Sequence, residues 1–346
     1  YASKMGSEGM ADAPLAVVHS EVVKRLLANA CQLMGKLNMH EFAYGMSGVN
    51  HYTGTPPNPL FPDYIPGGSS SASAALVAQS GVDFTLGTDT GGSIRLPAAC
   101  CGVVGLKPTF GRVSRKGVLP KHSSLDCVGP LANNVAGIMQ AMSIVDESFQ
   151  HPGKKMPNSF TLGRVQVEAD AAINACLSDH LSKLNHACEP VELASLEPAF
   201  NAGLNIINAE TWAAWGEYLE SGKVGEDVAT RLRAARNTSA SDLAAAEVIR
   251  QQFTAEVNAA LEHVSVLVLP TLPHFPLTRQ AAMAGELDLR ASALVRPFNL
   301  SGHPAISIPI KERSGRPVSL QLVGAHGEDE QLCAIAAELE SVFESH

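Results

Sequence analysis

The chain is short of several things, and each shortage removes a class of protein. Only 17% of its 346 residues are charged, with 34 acidic against 25 basic side chains and a formal net charge of −9. It lacks the basic footprint that phosphate binding requires, so nucleic acid is excluded as the main partner. No apolar run nears the roughly 18–20 residues of a membrane span. The longest, such as Val264-Ser265-Val266-Leu267-Val268-Leu269, are strand-sized, so no membrane partner is expected. Cysteine is scarce and odd in number, seven residues with no CxxC pair at zinc spacing. These read as reduced thiols of a cytoplasmic protein, with the vicinal Cys100-Cys101 pair as buried packing.

The common hydrolase signatures are missing too. There is no GxSxG elbow of the α/β-hydrolase kind. His40-Glu41 runs into Phe42-Ala43-Tyr44, so HExxH is not formed, and the 12 histidines are scattered without ligand spacing. No Lys-Ser/Thr follows Gly67-Gly68, so the phosphate-loop pattern fails as well. Neither a metal nor a cofactor is expected.

What is present is ample core, with 45% hydrophobic residues. Val22, Val23, Leu26 and Leu27 recur at helical spacing after Ser20, a candidate N-cap. Cys31 to Gly35 reads as a short buried strand, and Asn38 to Ala43 as a helical turn. Residues 53–68 are dense in proline and glycine, a long irregular surface loop. A helix is expected to start within Ser69–Ser73, and Phe84 to Gly87 is strand-like. Further on, Val135 to Val145, 167–186 and 208–262 read as helical, and Val264 to Leu269 as a strand. Ala305 to Pro309 and Val318 to Leu322 alternate like a hairpin about Ser314-Gly315, and a helix closes the chain from about Glu328 to Phe343. The polar gap from His151 to Asn158 is the best internal boundary. Interleaved strands and helices indicate an α/β layered fold.

Two glycine-supported serine clusters carry the chemistry: Gly67-Gly68-Ser69-Ser70-Ser71 and Gly87-Thr88-Asp89-Thr90-Gly91-Gly92-Ser93. Glycines just after a strand let the backbone turn sharply with its N–H groups facing a cleft. A serine at the end of such a turn has its hydroxyl beside those donors, the geometry of a nucleophile next to an oxyanion hole. Taken alone, GGS reads as a tight turn with a capping serine. The first cluster taken alone reads as a flexible linker, but helix-forming apolar residues follow it at once.

The stretches Gly67 to Leu76, Gly87 to Pro97, Cys101 to Arg112 and Ser124 to Leu131 together resemble the amidase signature family. Gly35 to Phe42, Phe298 to Ala305 and Leu320 to Gly324 extend the resemblance over nearly the whole chain. It implies one large layered domain, 1–346, with a mixed central sheet covered by helices on both faces. Within it, 151–300 is a variable, helix-rich region that sets specificity. It also implies a Ser–cis-Ser–Lys triad: Ser93 as the acylated nucleophile, and Ser69, after a cis Gly68–Ser69 bond, as the bridging proton relay. Thr90, Gly91, Gly92 and Ser93 match the oxyanion hole, supported by Gly68, Ser70, Asp89 and Arg95. The implied reaction converts a small-molecule carboxamide to acid and ammonia. A glutaminase subunit of a tRNA-dependent amidotransferase shares these motifs, and a non-catalytic interaction protein could use the same fold. A homodimer is left open.

Two departures stand out. Ser71-Ala72 occupies a position where the family has Gly-Gly; both residues are small, so the helix start is expected to survive. The family's Lys-Asp pair, expected well before the first serine cluster, has no match at Lys4, Lys36 or Lys107. The expectation is that the catalytic lysine lies before Tyr1.

Overall fold

A computed structural model describes residues 1–151 and 159–345. Its eight strands are β1 (Phe84–Asp89), β2 (Val104–Lys107), β3 (Cys127–Ala132), β4 (Thr161–Val165), β5 (Ala187–Val191), β6 (Val266–Pro270), β7 (Ala305–Ile310) and β8 (Val318–Val323). They form one mixed sheet in the order β1-β3-β2-β7-β8-β6-β4-β5. Pairing is antiparallel from β1 through to β6, and parallel for β6–β4 and β4–β5.

The period-two pattern of the central strands divides the core between two faces. Val266, Val268, Ile306, Ile308, Leu320 and Leu322 face one side and pack with the helices Val135–Val145, Ala171–Leu181 and Asp329–Glu344. Their neighbours Leu267, Leu269, Ala305 and Val323 face the other side, covered by the helices Leu196–Trp215, Glu226–Ala235 and Ala240–Leu261. Helices thus cover both faces of the mixed sheet, as the resemblance implied. Among the described residues, no helix is long and apolar enough to cross a membrane.

Most strongly periodic segments form as read. The first helix runs Glu21–Ala28 with Ser20 at its N-cap, although the Ser20 hydroxyl makes no capping bond. Val135–Val145 is a helix, capped by the Asn134 side chain on the Gly137 N–H. Ala305–Ile310 and Val318–Val323 pair antiparallel, with Ile308 opposite Leu320.

Two readings change. Cys31 to Gly35 is not a strand: it has no pairing partner among the described residues, and Leu33 and Met34 are exposed. An apolar run becomes a strand only where another strand is free to bond it. The loop 53–68 does not stay on the surface. Asn58 is buried and its amide donates to the carbonyls of Ile65 and Cys100, drawing the second half of the loop inward. One helix was not read from the sequence: Arg95–Cys101. Pro97 sits in its first turn, where its missing N–H would have had no intrahelical partner anyway. Strand β5 contains Pro190, which is tolerated because β5 is a sheet edge. The boundary expected within His151 to Asn158 falls almost wholly outside the described residues.

Candidate active site

Strand β1 and the helix Ser71–Ala78 carry the two serine clusters, and side-chain bonds zip them together. The Ser73 hydroxyl donates to the Leu86 carbonyl at 3.1 Å, and the Thr85 hydroxyl to the Ser73 carbonyl at 3.0 Å. One turn earlier, the Ser70 N–H donates to the Ser93 carbonyl at 3.2 Å. That bond docks the first cluster directly on the second.

The approach to Ser69 is shaped by glycine. Gly67 has φ +70°, and a Cβ there would stand 2.8 Å from both Cys100 Sγ and Pro97 Cα. The Gly68–Ser69 peptide is cis. On the far side, the Ser69 carbonyl accepts the His40 N–H at 3.0 Å. Ser69 is 1% exposed, and its Oγ has no hydrogen-bond partner among the described residues. A buried hydroxyl without a partner is rare and costly, and such orphans concentrate at functional sites.

The turn before Ser93 is held from beneath by Asp89. One carboxylate oxygen accepts the Gly92 N–H at 2.8 Å, and the other accepts the Ile94 N–H at 3.1 Å and the Arg95 N–H at 3.3 Å. Arg95 adds two side-chain bonds, and the Asn299 amide adds a third. Burial pushes the Asp89 carboxyl up, but the Arg95 guanidinium, the Asn299 amide and Lys107 outweigh it and hold the group well below the usual carboxylate range. Arg95 is itself fully buried and reaches the Val295 carbonyl, Gln321 and Asn299. The whole array fixes the turn.

One expected donor is already engaged. The Gly92 N–H points at Asp89 rather than into the cleft, so of the expected oxyanion set Thr90, Gly91 and Ser93 remain. Gly92 instead provides backbone freedom, with φ +115° and Val295 packed so closely that a Cβ would lie 2.3 Å from its Cγ2.

Sequence reasoning gave no role to Asp126, Asn299 or Gln321, although all three lie in stretches that carry the family resemblance. Asp126 is buried, accepts the Thr90 hydroxyl at 2.8 Å and pairs with Arg115 Nε at 2.8 Å. Burial pushes its carboxyl up to about 6 against the pull of Arg115 and Thr90. The missing signal was spatial: nothing in Ser124-Leu125-Asp126 says that its acid reaches the Thr90 turn.

Among the described residues, no lysine stands on Ser69. The Lys36 ammonium bonds the Ala2 carbonyl and Ser3 Oγ, and the buried Lys107 bonds the Pro108 carbonyl and approaches Cys127 Sγ. Trp215 is core, stacked on Phe42 at 5.0 Å. Cys100 and Cys101 are both buried, and burial drives both thiols up, so they are packing groups. A cavity lined by His40, Met46, Leu96, Cys100, Asp227 and Arg231 lies beside the Gly67 turn; neither Ser69 nor Ser93 lines it.

The model of the family described as Amidase matches residues 2–333. A glutamyl-tRNA(Gln) amidotransferase subunit from Macrococcus caseolyticus is 31% identical, over 95% of this chain and 79% of its own length. Amidase 1 of Oryza sativa subsp. japonica is 32% identical, over 94% of this chain and 83% of its own. A solved structure described as a crystal structure of amidase superposes with a TM-score of 0.88 at 30% identity, over 99% of this chain and 81% of that one. With the match running through both serine clusters and the sheet that carries them, this chain belongs to the amidase signature family, hydrolases acting on amide C–N bonds.

Proposed function

We propose that the chain hydrolyses the carboxamide of a small molecule to a carboxylic acid and ammonia through an acyl-enzyme on Ser93, with Ser69 relaying protons. The observation that carries this reading is the docking of the clusters. Ser70 N–H on the Ser93 carbonyl sets Ser69 beside the Gly91-Gly92-Ser93 turn, and the Ser69 hydroxyl is buried with no protein acceptor among the described residues. In the forward step Ser93 Oγ attacks the amide carbonyl while its proton passes to Ser69 Oγ. The backbone N–H groups of Thr90, Gly91 and Ser93 stabilise the oxyanion, where one such donor typically contributes ~10²–10³ in rate. Ser69 then returns a proton to the departing ammonia, and water repeats the sequence on the ester. The relay requires a base at Ser69 Oγ. Lys36 and Lys107 are engaged elsewhere, so another group must supply it.

Within 151–300, the helices Leu196–Trp215, Glu226–Ala235 and Ala240–Leu261 cover the second face of the sheet, which supports the reading of that range as the specificity region. A cytoplasmic setting fits the chain's free cysteines.

A second reading has an observation of its own. Several relatives are subunits of glutamyl-tRNA(Gln) amidotransferase, at 31–33% identity. On this reading the amide is glutamine, and ammonia is handed to a partner.

Ammonia release from a panel of aliphatic, aryl and dicarboxylic amides tests the proposal. Turnover that vanishes in Ser93→Ala supports it, and turnover that survives overturns it. Glutamine hydrolysis together with co-purifying subunits would select the second reading.

A further inference from the structure

The turn that presents Ser93 is pressed by a helix of the second-face layer. Ile207, on the helix Leu196–Trp215, packs on it: a Cβ on Gly91 would stand 2.9 Å from Ile207 Cδ1. Glu210 follows one turn along, on the same face of that helix. Its carboxylate reaches the long connection between β2 and β3, residues 108–126, which holds neither helix nor strand. There Glu210 Oε2 accepts the Ser123 hydroxyl at 2.7 Å, and Oε1 accepts the Ser124 N–H at 2.8 Å. Arg250, on the helix Ala240–Leu261, donates to the Ser124 carbonyl at 3.4 Å and to Ser124 Oγ at 3.0 Å. Two helices thus grip the connection, a carboxylate taking its donors and a guanidinium serving its acceptors.

One hydroxyl passes the grip on. Ser123 Oγ has a single proton, and Glu210 takes it. Its lone pairs are left for the N–H groups of Leu125 at 3.3 Å and Asp126 at 3.2 Å. Asp126 is buried, and its carboxylate accepts the Thr90 hydroxyl at 2.8 Å. Strand register explains that meeting. Asp89 and Cys127 are the last pair of the β1–β3 ladder, so Thr90 and Asp126 form the next rung, joined by side chains. From helix to turn the path runs Glu210, Ser123, Asp126, Thr90, with every step a hydrogen bond of 3.2 Å or less.

We infer that Glu210 is a positioning residue for the reaction. By orienting the Ser123 hydroxyl it sets the Asp126 carboxylate that holds Thr90, and with it the N–H groups of Thr90 and Gly91. The effect on rate rests on the hydrolase reading; the effect on the turn does not. A carboxylate is needed at 210 because both of its oxygens accept. Glutamine has nearly the same shape but turns one acceptor into a donor. Either the Ser124 N–H then loses its acceptor, or Ser123 Oγ faces a third donor.

Glu210→Gln is therefore the test, with two readouts. The first is the rate at which a fluorophosphonate labels Ser93, since its phosphonyl oxygen takes the place of the oxyanion. That rate should fall ~10–10²-fold, in the range expected for a displacement of about 1 Å and no more than the loss of a whole donor. Ser123→Ala should fall alike, and the double variant no further than either single one, because the two lie on one path. The second is hydrogen exchange of the peptide spanning 87–93, which needs no reaction and should be several-fold faster in Glu210→Gln. Glu256→Gln is the control. Glu256 accepts the N–H groups of Ala194 and Ser195 ahead of the same helix, so its loss should lower Tm and leave both readouts unchanged. A wild-type labelling rate or a wild-type exchange rate in Glu210→Gln overturns the inference. So do equal changes in Glu256→Gln at an equal loss of Tm. If Glu210→Gln does not fold, Ser123→Ala decides by the same readouts. Folded wild type that is never labelled at Ser93 sinks the hydrolase reading, and exchange then decides the positioning alone.

Discussion

Arg95 and Asp89 form a fully buried, two-point ion pair, with Nε 3.0 Å from one carboxylate oxygen and a terminal nitrogen 2.8 Å from the other. The pair is local in sequence, yet it joins distant parts of the chain. Arg95 reaches Val295, Asn299 and Gln321, and Asp89 holds three N–H groups on either side of Ser93, those of Gly92, Ile94 and Arg95. It is the keystone of the site.

Removing either partner strands the other charge in the core. Arg95→Leu should therefore cost ~3–5 kcal/mol, and Asp89→Asn a comparable amount. Urea unfolding measures both. Arg95→Lys should recover only a fraction, since a point charge cannot reproduce the fork. A loss below ~1 kcal/mol in Arg95→Leu would mean that the pair does not organise the turn.

Gly67 lies in left-handed backbone with no room for a methyl group. Gly67→Ala should combine backbone strain with a clash against Pro97 and Cys100, costing ~2–4 kcal/mol. Because Gly67 leads into Ser69, activity should fall further than stability does. Thermal melts and amide turnover on the same preparation show whether the two losses separate.

The two buried acids of the site titrate in opposite senses. Asp89 is held below its unfolded value, so its contribution is present above ~pH 4 and is lost as the pH falls toward its folded value. Asp126 is pushed up to about 6. Between ~pH 4 and 6 the folded state binds its proton and the unfolded state does not, so stability falls as the pH rises through that window, by ~2–3 kcal/mol. Glu340, pushed by burial up to about 7, adds a slope of the same sign. Melts of wild type and Asp126→Asn from pH 4 to 7 should therefore diverge, the variant showing the shallower decline. Parallel curves would contradict the assignment.

The resemblance made the proposed pair of serines legible and left their supports obscure, for a physical reason. Local pattern alone left each cluster an ordinary reading, a capped turn and a flexible linker, and it was the family resemblance that singled out Ser69 and Ser93. Asn299, Gln321 and Asp126 act only through contacts across the fold, so nothing near them in sequence gives them away. The same holds for secondary structure. Val135–Val145 formed as read because its apolar periodicity runs through the whole helix and Asn134 caps its start. Cys31 to Gly35 failed as a strand because strand formation depends on a partner elsewhere.

The two serines should fail differently. On the proposed mechanism Ser93→Ala removes the atom that is acylated and should abolish turnover. Ser69→Ala leaves the nucleophile but breaks the proton relay, so turnover should drop by ~10³ or more while Ser93 stays available for slow acylation. Near-normal turnover in Ser69→Ala would remove Ser69 from the mechanism.

Everything above turns on Ser93 being the nucleophile, and covalent trapping tests that most directly. The folded chain is treated with a fluorophosphonate, weighed intact and mapped by peptide. A single adduct on Ser93, absent from Ser93→Ala, is the expected result. An adduct on another residue, or none on protein with a native melt, would contradict it.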